Sequence, residues 1–145
     1  MKKHRITSIF SVLFIVVLCV SLFTSCNKKI ERIEENQVKK IVAWVINSEE
    51  EYELSSDETK QFIELFNSAN YEGKSTGEGG TPQFGICVYF SDGAYLKVND
   101  FDGIHKFEVS FCKADGTQQH SYYISSEKLY TFAAGMADKV EQNSD

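Results

Sequence analysis

The stretch QFGICVYFSDGAYLKVND, residues 83–100, decides how this chain reads. Two apolar-rich runs flank Ser91, Asp92 and Gly93, and a glycine takes the positive φ of a tight hairpin without steric cost. Side chains alternate between faces along a strand, so the turn length sets which residues share a face. A three-residue loop places Phe90 opposite Ala94, Val88 opposite Leu96 and Ile86 opposite Val98, with all six on one side. A two-residue loop sets Phe90 opposite Tyr95 and Val88 opposite Lys97, which mixes apolar and charged groups. The spacing therefore predicts the three-residue loop with a bulge.

The same alternation continues downstream. HKFEVSFCK (105–113) carries Phe107, Val109 and Phe111 on one face, and TQQHSYYI (117–124) follows after the turn signal ADG. Upstream, VKKIVAWVINS (38–48) is β-branched and apolar around Trp44 and reads as a strand. EEEYEL (49–54) reads as a short acidic edge strand pairing with it.

Two segments switch to helical spacing. In SSDETKQFIELFNSAN, Ser55 and Glu58 have the spacing of a capping box, and Phe62, Leu65, Phe66 and Ala69 share a face. Residues 125–141 form the second candidate, with Ser125 as its cap and Leu129, Phe132, Ala133, Met136 and Val140 as its apolar stripe. Gly135 lies inside that helix at a cost of about 1 kcal/mol relative to alanine, which reads as a mark of close packing. The order predicts an α+β fold: an antiparallel β-meander of four to six strands with two helices packed on one face, a two-layer sandwich. One domain is expected over residues 38–145.

The front of the chain is different. KKHR (2–5) precedes the uninterrupted apolar run VLFIVVLCV (12–20), and no acidic residue occurs before Glu31. A basic start, a short apolar run and small residues before a cut describe a secretory signal peptide. An uncleaved membrane anchor is the alternative, although Thr7, Ser8, Ser11 and Ser21 dilute the eighteen residues from 6 to 23. The run ends in LFTSC (22–26), which resembles the lipobox of bacterial lipoproteins, with Phe23 standing where leucine is usual. That resemblance implies cleavage after residue 25, lipidation of Cys26, and a protein held on a bacterial cell membrane or outer membrane, facing away from the cytoplasm. Residues 26–37, whose NKKIERIEENQ follows the cysteine, are then expected to be a charged tether.

Charge and composition exclude some functions. Residues 1–25 carry Lys2, Lys3 and Arg5 and no acid, so cleavage there takes the net charge from −6 to −9. Such a chain is a poor match for nucleic acid, which is bound by basic stripes. With Cys19 and Cys26 assigned to the front, Cys87 and Cys112 remain. In a meander their strands flank the second strand of the hairpin, about 10 Å apart, beyond the ~7 Å Cα limit for a disulfide, so free thiols are expected.

His105 and His120 fall on adjacent strands near acidic residues. A four-residue turn Lys113–Gly116 pairs His120 with Val109 and His105 with Ile124, roughly 13 Å apart, too far to share a metal. GKSTGEGGTPQFG (73–85) has the glycines of a phosphate cradle without the order, since no Gly-Lys-Ser/Thr runs into a helix. Residues 73–82 therefore read as a linker or a recognition loop. No catalytic residue, metal set or cofactor motif is apparent.

Tyr89, Tyr95, Lys97 and Tyr123 fall on the sheet face away from the helices, and Tyr-rich mixed-charge patches are typical of binding surfaces. The functional expectation is an anchored, non-enzymatic binding or accessory module. An inhibitor or immunity-type protein is the variant, and a small envelope enzyme the rival reading. The partners expected are the membrane, through Cys26, and a protein or other envelope ligand.

Overall fold

The computed structural model describes residues 30–101 and 105–143. The expected signal peptide (1–25) and Cys26 lie outside the described residues. The elements are β1 (Val38–Val45), β2 (Glu51–Glu53), α1 (Ser56–Asn67), β3 (Asn70–Lys74), β4 (Phe84–Phe90), β5 (Tyr95–Phe101), β6 (Lys106–Cys112), β7 (Gln118–Ser125) and α2 (Glu127–Asn143). One seven-stranded sheet runs β2-β1-β4-β5-β6-β7-β3, each neighbouring pair antiparallel. Both helices cover one face, so the fold is α+β with two layers.

The opening hairpin has the expected register. Val88 faces Leu96 and Ile86 faces Val98 across β4 and β5, and the Phe90 N–H donates to Ala94 O at 2.9 Å. Gly93 takes φ +90° in the turn, as the bulged loop requires. The alternation then does its work: Ile86, Val88, Leu96 and Val98 are buried under the helices with Ile41, Phe107, Val109 and Ile124. From the helices come Phe62, Phe66 and Leu129, all fully buried, each contributing roughly 1.5–3 kcal/mol by burial.

Helix α1 starts where its capping box predicts. Ser55 Oγ accepts the Glu58 N–H, and Glu58 Oε2 accepts the Ser55 N–H at 2.8 Å. For α2 the cap moves by one residue: Ser126, not Ser125, accepts the Leu129 N–H at 3.2 Å. Ser125 instead remains in β7, its hydroxyl bonded to Glu72. Gly135 does not mark close packing, since a Cβ built there meets nothing within 4 Å.

Three further expectations are corrected. The sheet has seven strands rather than four to six, because Asn70–Lys74 forms an edge strand on β7 that takes in the start of the expected 73–82 loop. Its sequence NYEGK has no apolar run to announce it, and it is held by antiparallel pairing with β7. The β6–β7 register is shifted by two: Val109 faces Tyr122, and His120 faces Phe111, with an irregularity between the Phe111–His120 and Cys112–Gln118 pairs. Finally, the charged segment before β1 is part of the domain from Ile33 at the latest. Ile33 is 4% exposed and joins the core, and Ile30 packs against it, so this stretch lies on the fold.

Candidate functional site

The face of the sheet away from the helices carries most of the unexplained chemistry. Pairing of β1 with β4 and of β4 with β5 sets Lys40, Tyr89 and Tyr95 side by side across three strands. The two rings have centroids 6.0 Å apart. The Lys40 ammonium lies 5.1 Å from the Tyr89 centroid and the Lys97 ammonium 5.6 Å from that of Tyr95. A cation over an aromatic face is drawn to the ring's negative quadrupole, worth about 0.5–1 kcal/mol at such exposed sites. The result is a Lys–Tyr–Tyr–Lys cluster with Lys97 exposed and the other three half-buried.

Beneath it lie the two thiols. Cys87 and Cys112 are free and buried, 6% and 4% exposed, separated by β5. Cys87 precedes Tyr89 on the same side of β4, and Cys112 faces Tyr95 across β5 and β6. Burial pushes the Cys87 thiol up. Contact with Cys87, then burial, pushes the Tyr89 hydroxyl up to about 12, and Cys112 raises Tyr95 in the same way. Both phenols are therefore neutral hydrogen-bond donors at pH 7, and neither is poised as a nucleophile.

Trp44 extends the patch along β1. Its indole crosses Gly85 so closely that a Cβ there would stand 2.8 Å from Nε1. Gly85 is thus the residue that lets the ring lie flat on the sheet.

Tyr123 does not belong to the accessible patch. It is 8% exposed, covered by the Phe101 ring at 4.7 Å, and the Lys106 ammonium lies 5.2 Å from its centroid. The segment after β3 folds over this end of the face. The Ser75 N–H donates to Ser121 O at 3.1 Å, the Ser75 hydroxyl bonds Glu108, and Gly79 presses on the Phe101 ring. The stretch expected to be a linker is thus partly a cover. Of the four residues expected on the surface, Tyr89, Tyr95 and Lys97 come together and Tyr123 does not. Lys40 was missed: its place follows from β1 pairing with β4, a contact between segments far apart in sequence.

The histidines stand apart. The His105 ring packs on Tyr130 at 5.0 Å, whereas His120 stacks on Phe111 and its Nε2 lies 3.2 Å from Glu31 Oε2. Among the described residues no group of three or more His, Cys, Asp or Glu side chains is placed to hold a metal ion, and no helix is long and apolar enough to cross a membrane. Compared with protein-family models, curated proteins and solved structures, the chain matches none.

Proposed function

We propose that this chain is a lipid-anchored protein of the bacterial envelope that works by binding a protein partner through the open sheet face. The observation that carries the reading is the Lys40–Tyr89–Tyr95–Lys97 cluster on a face that no helix covers. Half-buried tyrosines offer flat apolar area with a hydroxyl donor and little rotamer entropy to lose, which is why they are frequent at interfaces. Two ammonium groups beside them favour a partner that presents carboxylates. The anchor rests on LFTSC and its resemblance to the lipobox, and two or more acyl chains on Cys26 would hold the domain at a membrane.

The test has two arms. Crosslinking and pull-down with the anchored protein should recover a partner that Tyr89→Ala and Tyr95→Ala lose; unchanged recovery in both variants rejects the sheet-face reading. Labelling of cells with a fatty-acid probe should depend on Cys26, and equal labelling of Cys26→Ala rejects the anchor.

A further inference from the structure

On the helix side of the sheet, and so independent of the tyrosine face, a cleft of about 410 Å³ opens between the segment before β1 and the β4–β5 hairpin. That volume lies within the range of small-molecule sites, roughly 300–1,000 Å³. Its floor is apolar: Leu96 and Ile33 are core residues, and the Phe90 and Phe111 rings stand 6.2 Å apart. The two rings pack against the core and are only partly buried.

The rim is polar, and its charges are not equivalent. Asp92 Oδ1 accepts the Ala94 N–H at 3.0 Å, and Glu31 Oε2 lies 3.2 Å from His120 Nε2, so both acids are already engaged. Arg32, the cation of the rim, is in no ion pair among the described residues. Glu34 and Glu35 are exposed close by in sequence and do not line the cleft. From an apolar floor beside one uncommitted guanidinium, we infer that the cleft binds a small amphipathic anion, with an apolar body over Phe90 and Phe111 and a carboxylate or similar head at Arg32. Guanidinium suits this role because its fork matches a carboxylate bidentately.

The experiment is calorimetric titration of the full chain with dodecanoate and, separately, dodecanol, both below the concentrations at which they aggregate. It is repeated with Arg32→Gln and with Ser91→Trp, an exposed turn position at the mouth of the cleft. Circular dichroism verifies that each variant is folded. The apolar run at 12–20 is common to all variants, so its uptake of a given probe cancels between them. Dodecanoate should bind more tightly than dodecanol, Arg32→Gln should weaken dodecanoate about fivefold while leaving dodecanol unchanged, and Ser91→Trp should weaken both. Equal affinity for the two probes overturns the assignment of an anion. Native affinity in both folded variants, or no dodecanoate binding at all, overturns the site.

Discussion

Asn67 grips Ile33 by both polar groups of its backbone. The Ile33 N–H donates to Asn67 Oδ1, and Asn67 Nδ2 donates to Ile33 O, each at 2.9 Å. The last residue of α1 thereby fastens a segment 34 positions earlier, with the Ile33 side chain inserted in the core. Asn67→Asp keeps an acceptor and loses the donor, setting a carboxylate against a carbonyl. It should cost about 1–3 kcal/mol in denaturant unfolding and raise hydrogen exchange at the Ile33 amide. Unchanged exchange would mean the clamp does not hold the segment.

Gly85→Ala should disturb Trp44, because the added methyl needs the space that the indole occupies. Trp44 is the single tryptophan of the chain, so fluorescence reads it alone. We expect a shift in emission and a loss of about 1–3 kcal/mol. Native emission with native stability would contradict the packing.

Gly135→Ala should do the opposite. The position is helical and has open space around it, so alanine contributes helix propensity and restricts the unfolded chain. A gain of about 0.4–1 kcal/mol, seen as a higher melting temperature, is the expected outcome.

Glu58 predicts how stability responds to acid. Burial works to raise its pKa, but Lys139 and the hydrogen bonds from Ser55 and Tyr52 outweigh it and bring it down from 4.5 to about 2. A carboxylate with a depressed folded pKa stabilises fully above its unfolded value, and the contribution is lost as the pH falls towards the folded value. Stability should therefore fall as the pH drops from about 4.5 towards 2. Glu58→Gln should flatten this part of the profile. An identical slope in the variant would place the acid sensitivity elsewhere.

The thiols offer a direct check on the open face. Cys87 and Cys112 are buried beneath the tyrosines, so alkylation of peptides containing them should be slow in the native protein and complete in urea. Removing the overlying ring in Tyr89→Ala should speed labelling of Cys87 more than that of Cys112, since Tyr89 contacts Cys87.

Much of the fold was legible because the signals were short-range. The β4–β5 register follows from a five-residue neighbourhood, where turn length and alternation admit one pairing that keeps the apolar residues together. The Ser55–Glu58 box is equally local, being settled within one helical turn. Errors arose where the deciding contact was remote or weakly marked. Edge strand β3 has a polar sequence, and its bulge at Gly73 (φ +123°) breaks the alternation by which strands are recognised. The β6–β7 register slipped by one residue at the turn, where Cys112 pairs with Gln118 rather than Thr117. It slipped by one more at the irregularity between Cys112 and Phe111, which moves every later partner.

The candidate surface divides along the same line. Tyr89, Tyr95 and Lys97 were legible together because one hairpin carries all three. Neither the addition of Lys40 nor the burial of Tyr123 was legible, since each depends on segments distant in the chain: β1 against β4, and Ser75–Gly79 across β6 and β7. By itself the sequence determined the β4–β5 register, the start of α1 and the apolar face, for these rest on periodicity and on bonds spanning a few residues. The tertiary structure alone decided where that face ends, that Ile33 closes part of it, and which tyrosines meet solvent. Those outcomes depend on which distant backbone groups find each other once the core has formed, and no local pattern encodes that choice.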